Sequence, residues 1–136
     1  MASGSLSSAI VHDMKADKRL WSATYEAYLN DLELIDELLF ICNENIPFPV
    51  LNLKSFKIEF EIELEFPCRE IEINKDKTIM AIATEKNIIL WDYQKKHTIK
   101  EMVVGDYPCT LKFNPEGNRL LIGLYDGSLI KIDIEL

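Results

Sequence analysis

Apolar and polar residues alternate without a break from Phe56 to Phe66. Phe56, Ile58, Phe60, Ile62, Leu64 and Phe66 fall on one side, Lys57, Glu59, Glu61, Glu63 and Glu65 on the other. A period of two over this length predicts a strand with one buried face. The four glutamates read as a charged solvent face that discourages edge-to-edge pairing, although they also suit a basic partner. Downstream, short apolar runs separated by turn residues predict strands near 68–74, 78–84, 87–93 and 97–104, then near 109–114, 119–125 and 128–134. Asn74-Lys75-Asp76-Lys77, Glu85-Lys86-Asn87 and Pro115-Glu116-Gly117-Asn118 supply turn chemistry, and Asp126-Gly127 between apolar strands favours a type I′ hairpin. Upstream the spacing changes. Trp21, Tyr25, Tyr28, Leu32, Ile35, Leu39 and Cys42 follow one another at steps of four and three, with no Gly or Pro between them, which predicts an amphipathic helix. Asn30 followed by Glu33 is a capping-box pattern, so one long helix and two shorter ones over 18–29 and 31–43 both fit. Asn43-Glu44-Asn45 ends the segment, and Pro47 and Pro49 force an extended chain.

The strand-rich part says nearly the same thing twice. Phe66-Pro67-Cys68 returns as Tyr107-Pro108-Cys109, and Ile88-Ile89-Leu90-Trp91-Asp92 as Leu129-Ile130-Lys131-Ile132-Asp133, both 41 residues on (109 − 68, 133 − 92). Ile71 and Ile73 are answered by Leu111 and Phe113 at 40, which places one extra residue in the turn after Asn114. A fixed period of this size marks stacked repeats, each a small antiparallel sheet.

The repeat resembles a blade of the WD40-repeat β-propeller family. Trp91-Asp92 matches the dipeptide that closes the family's third strand, and Asp126-Gly127 its tight turn between the second and third strands. Ile132 replaces the tryptophan in the second copy, Glu85-Lys86-Asn87 replaces Asp-Gly in the first, and the family's Gly-His is reduced to Gly105-Asp106. Without that histidine the family's buried hydrogen-bond relay is incomplete, so apolar packing carries more of the blade. A different antiparallel β repeat is the rival. The resemblance implies a mainly β fold, WD40-like antiparallel blades of a partial propeller, and the upstream spacing places a helical segment before them. Residues 1–7 are disordered or appended, 8–45 helical, 46–55 an extended linker, and 56–136 two blades plus one strand.

Charge narrows the partners. A net charge of −8 and a pI near 4.8 argue against phosphate-backbone binding, so no nucleic acid is expected. No apolar run approaches bilayer length, and no membrane contact is expected. Three cysteines, an odd number without a CxxC, read as reduced, buried thiols in a soluble cytoplasmic or nuclear protein. His12 and His97 lie in different elements with no catalytic neighbours, and no nucleotide-binding or nucleophile-elbow motif occurs. Catalytic, cofactor-binding and metal-binding residues are therefore not assigned, and an enzyme is not expected.

The expected function is a protein–protein interaction scaffold. Trp21, Tyr25, Tyr28 and Leu32 on the helical seam are candidate partner-binding residues, since exposed aromatics are enriched where proteins meet. Leu129, Ile130, Ile132 and Ile134 form a second candidate patch, beside an open sheet edge that favours a protein partner or self-association. An alternative comes from Ala16-Asp17-Lys18-Arg19-Leu20-Trp21, which is similar to the tail of an F-box, the helical module of ubiquitin-ligase substrate receptors.

Overall fold

The computed structural model describes residues 7–13, 18–25, 29–43 and 47–134, with the backbone course and pairing alone up to residue 29. Its described elements are strands. β1 (Ser7–Asp13) and β2 (Lys18–Tyr25) form an antiparallel hairpin. A first sheet follows in simple meander order, β3 (Leu29–Ile35), β4 (Leu38–Asn43), β5 (Phe48–Asn52) and β6 (Lys57–Ile62). The second sheet repeats it with β7 (Cys68–Ile73), β8 (Ile79–Thr84), β9 (Asn87–Asp92) and β10 (His97–Val103). The third has β11 (Pro108–Phe113), β12 (Arg119–Leu124) and β13 (Leu129–Asp133). All pairings are antiparallel.

Burial follows from composition. Leu38-Leu39-Phe40-Ile41-Cys42 in β4 and Ile79-Met80-Ala81-Ile82-Ala83 in β8 are unbroken apolar runs, the pattern of central strands covered on both faces. One core lies between the first and second sheets, where Phe40, Phe48 and Val50 meet Ile71, Ile82 and Trp91. A second lies between the second and third, where Ala81, Ile88 and Leu90 meet Leu111, Leu120 and Ile122. The leading strands β3, β7 and β11 lie next to one another at one side of this stack.

The turns repeat as well. Asp36, Lys77 and Gly117 each take a left-handed conformation (φ 56°, 58° and 78°) two residues before the sheet's second strand. After the third strand, Asp92 Oδ1 accepts the Gln94 and Lys95 N–H groups at 2.9 and 2.8 Å. Asn52 Oδ1 does the same for Lys54 and Ser55 at 2.8 and 3.2 Å. The aspartate of Trp91-Asp92 thus holds the turn into the fourth strand, an Asx turn that any Asp or Asn can make.

Four expectations are corrected. The helix over 8–45 is absent from the described residues. Residues 29–43 form the β3–β4 hairpin and the proposed capping box lies within β3, while Trp21 and Tyr25 belong to β2. The physical reason is that Leu38–Cys42 is apolar at every position, which satisfies a helical stripe and a doubly buried strand equally well. The extended segment 46–55 contains β5, so a complete four-stranded sheet, β3 to β6, precedes Cys68 where one strand was expected. The long alternating strand ends at Ile62 and starts after Phe56, which occupies a turn with φ 57°. Finally, Cys42 and Cys68 are joined by a disulfide between β4 and β7, with Cα atoms 5.4 Å apart, and Cys109 is exposed rather than buried. Two strands of neighbouring sheets bring together cysteines 26 residues apart, which spacing alone could not reveal.

On β6, Ile62 is buried and Phe60 packs on the first core, stacked on Trp91 with ring centroids 6.1 Å apart. Ile62→Ala is expected to cost about 2–5 kcal/mol and Phe60→Ala a comparable amount, as loss of packed apolar groups does. Glu61→Gln on the exposed face should change thermal melts little. Equal tolerance at all three positions would show that β6 does not pack on the core.

Candidate interaction surface

The ladders define equivalent positions in the three sheets. Ile79 faces Asp92 across β8–β9, Leu38 faces Asn52 across β4–β5, and Arg119 faces Asp133 across β12–β13. Residues are therefore matched at an offset of 40 from β7–β8 to β11–β12 and of 41 from β9 to β13. The extra residue lies in the β12–β13 connection, not in the turn after Asn114. Cys68 corresponds to Pro108 by the same ladders, since they pair with Thr84 and Leu124, and Cys109 falls in the bulge.

This matching exposes what is special about the third sheet. The face that each sheet turns toward its successor is apolar in the first (Leu38, Phe40, Val50) and in the second (Ile79, Ala81, Leu90). In the third the same positions carry Arg119, Leu121 and Lys131, with Lys112 beside them on β11. No described element covers this face, and Leu121 and Leu129 are 44% and 75% exposed. Arg119 Nε donates to Asp133 Oδ1 at 2.8 Å, and that hydrogen bond holds the Asp133 carboxyl below its ordinary range. The face is a mixed apolar and cationic surface on a chain that is acidic as a whole.

The patch expected at β13 divides. Ile130, Ile132 and Ile134 turn toward the second sheet and are half-buried against its core, whereas Leu129 points to the opposite, open face. Among the expected helical contacts, Leu32 stands on β3 and is 49% exposed. Trp21 and Tyr25 lie on β2, whose side chains are outside the described residues, as is Tyr28 altogether.

Two further features were missed from the sequence. A cleft of about 540 Å³ at one end of the second and third sheets is lined by Arg69, Glu85, Asp106, Tyr107, Cys109 and Tyr125. Both tyrosines are exposed, and Arg69 reaches Glu85 at 3.3 Å. On the leading strands, Asp31, Glu33, Glu70 and Glu72 form an acidic group, with Lys112 next in line. Asp31 Oδ2 accepts the Ile71 N–H at 3.1 Å and Asn30 Nδ2 donates to the Cys68 carbonyl at 2.8 Å, so β3 side chains tie its neighbour's backbone. Among the described residues no group of three His, Cys, Asp or Glu side chains is placed to hold a metal ion.

Burial raises the Glu33 carboxyl to about 7, helped by the nearby charges of Glu72 and Asp31. Glu70 and Glu72 are also raised, chiefly by burial. A carboxyl with a raised folded pKa contributes stability that is complete below its unfolded value and lost as pH rises through the folded one. For Glu33 the window runs from the ordinary 4.5 to about 7. Glu33→Gln should therefore leave melting near about pH 4 unchanged and raise it near about pH 8. Added salt should reduce the gain, since the group is partly exposed. A pH-independent effect of the substitution would contradict this assignment.

No family model matches the chain. No curated protein matches it. Solved structures do, among them the hydrazine synthase of Kuenenia stuttgartiensis, with a TM-score of 0.65 and 21% identity over 71% of this chain and 29% of that one. The chain thus spans less than a third of that protein, which it matches over 29% of its length. At this identity the likeness is one of fold, and a fold of stacked antiparallel sheets hosts many unrelated activities.

Proposed function

We propose that the chain is a non-enzymatic protein–protein interaction scaffold, its sheets being WD40-like blades of a partial propeller that bind through the third sheet. One observation carries this reading: among the described residues the successor-facing surface is buried in the first two sheets and uncovered in the third, with Leu121 and Leu129 exposed. Exposed apolar residues among charges on a sheet face are the composition of a contact surface rather than of a closed core. The partner is a protein or a second copy, not nucleic acid, because the cationic positions are few and the chain is acidic. The alternative role as an F-box substrate receptor gains no support, since Lys18–Trp21 of its motif runs within β2.

Among the described residues no helix is long and apolar enough to cross a membrane. The Cys42–Cys68 bond removes the cysteine argument for a reducing compartment and favours an oxidising one, where such bonds persist.

A photoreactive side chain at position 129 should give discrete protein adducts, or light scattering at micromolar concentration should give a mass above one chain that Leu129→Lys lowers. A monomer with no adducts would overturn the scaffold reading.

A further inference from the structure

The cleft at one end of the second and third sheets is built from positions that the ladders make equivalent. Thr84 stands opposite Cys68 at the end of β8, and Leu124 opposite Pro108 at the end of β12. Glu85 therefore matches Tyr125, and the bulge residue Arg69 of β7 matches Cys109 of β11. In the second sheet this pair is ionic, Arg69 reaching Glu85 at 3.3 Å. In the third it is a thiol and a phenol, and Tyr125 is left 77% exposed. The β10–β11 connection completes the wall with Asp106 and Tyr107. Tyr125 N–H donates to the Tyr107 carbonyl at 2.8 Å, which sets the two tyrosines opposite one another, and both line the cleft. Every lining residue belongs to the second sheet, the third or the connection between them, so both walls are in place. Glu85, which already has a succeeding sheet beside it, keeps a side chain 30% exposed. A succeeding sheet thus does not close this end of its predecessor.

The charges in the cleft do not balance. Arg69 and Glu85 pair with each other, which leaves the Asp106 carboxylate. Asp106 is half-buried, its Oδ1 accepts the Tyr107 N–H at 2.8 Å, and no cation among the described residues is paired with it. A smaller cleft of about 240 Å³ shares Glu85, Asp106 and Tyr107 and continues along Val104 and Gly105, with Lys86 in this part only. A carboxylate beside exposed aromatic faces suits a guanidinium, which pairs with the one and stacks on the other. In this open site the more strongly hydrated ammonium of a lysine gains less. Elsewhere in the fold a cation already sits over two rings, Lys96 Nζ lying 5.4 and 5.7 Å from the Phe60 and Tyr93 centroids. The net charge of −8 favours approach of a basic partner.

We propose that this cleft binds an arginine side chain of a basic, extended segment of a partner protein, with the guanidinium on Asp106 and against the rings of Tyr107 and Tyr125. The site is separate from the open face of the third sheet and goes beyond the reading that rests on that face.

The test titrates the full chain with a labelled synthetic peptide of alternating serine and arginine, beside its lysine and citrulline counterparts. Saturable binding is expected for the arginine peptide, severalfold weaker binding for the lysine peptide at the same charge, and none for the citrulline peptide. Asp106→Asn keeps an acceptor for the Tyr107 N–H and removes the charge. It and Tyr125→Ala should each weaken binding by about tenfold, the scale of losing a charge-assisted hydrogen bond or a stacked cation. Glu61→Gln, which removes the same charge from the exposed face of β6, should change nothing. Unchanged melting temperatures check that the variants fold. Cys109 is the local reporter, since its thiol lines the cleft and its alkylation should slow when the peptide is bound. Equal binding of the lysine peptide, equal weakening by Glu61→Gln and Asp106→Asn, or alkylation that the peptide does not slow would overturn the proposal. So would a second copy as the occupant, seen as a mass above one chain that Tyr125→Ala lowers. Failure of the peptide to bind while adducts at position 129 persist would remove the arginine site and leave the scaffold reading standing.

Discussion

Trp91→Ala is expected to destabilise the protein by about 3–5 kcal/mol, the cost of removing a buried large aromatic and leaving a cavity. Its indole is only 5% exposed and stacks on Phe60 with an interplanar angle of 19°. Phe40 packs edge-on against Phe60 at 6.2 Å and tilted against Tyr93 at 5.9 Å, with Lys96 over the Phe60 and Tyr93 rings. A cavity here is walled by two sheets, the second of which is held on its other side by the third, so collapse to refill it is restricted. The same position in the third sheet is Ile132, which is half-buried, with no fourth strand beside it among the described residues. Ile132→Ala should therefore cost well under the Trp91 loss, even after allowing for the smaller side chain. Chemical denaturation of the two variants checks this. A Trp91→Ala cost no larger than that of Ile132→Ala would mean that the first core does not close around the indole.

The contrast between these two positions shows which parts of the fold were legible. β7 to β13 stand within about two residues of the strands that period and turn chemistry imply, because each carries its own alternation and each turn its own Asn, Asp or Gly. The first sheet was hidden although it obeys the same repeat: Leu38–Asn43 stands 41 residues before Ile79–Thr84 (79 − 38). Its hairpin is made by Asp36-Glu37, a pair with no strong turn signature, and its strands contain no Gly. A long glycine-free apolar stretch then fits a helix as well as two strands, and tertiary pairing decides between them.

Surface chemistry was less legible than strands, for a physical reason. Arg119, Lys131 and Asp133 are ordinary edge-of-strand residues when read singly. They become informative only when laid over Leu38, Val50 and Asn52, or Ile79, Leu90 and Asp92, which requires the ladder register. The same holds for the acidic group: Asp31 and Glu33 come from one sheet and Glu70 and Glu72 from the next, and their mutual effect on ionisation exists only because the leading strands are neighbours.

The disulfide extends the argument from packing to covalent linkage. Cys42 on β4 and Cys68 on β7 are both fully buried, and the bond closes a segment containing β5 and β6 with a sequence separation of 26. Constraining a loop of that length in the unfolded chain stabilises the fold by about 3.5 kcal/mol on the chain-entropy model. Cys42→Ala with Cys68→Ala is expected to lose about that amount in chemical denaturation, a loss of the same order as that for Trp91. Cys109→Ser, at the exposed cysteine, should lose little. Alkylation provides the covalent check. One of the three thiols, Cys109, should react in the native protein. The count should remain one in denaturant without reductant and rise to three only when reductant is added. Three reactive thiols in denaturant alone would show that the sheets are held by packing without a covalent link. The oxidising-compartment reading would then fall, while the strand topology, which does not depend on the bond, would remain.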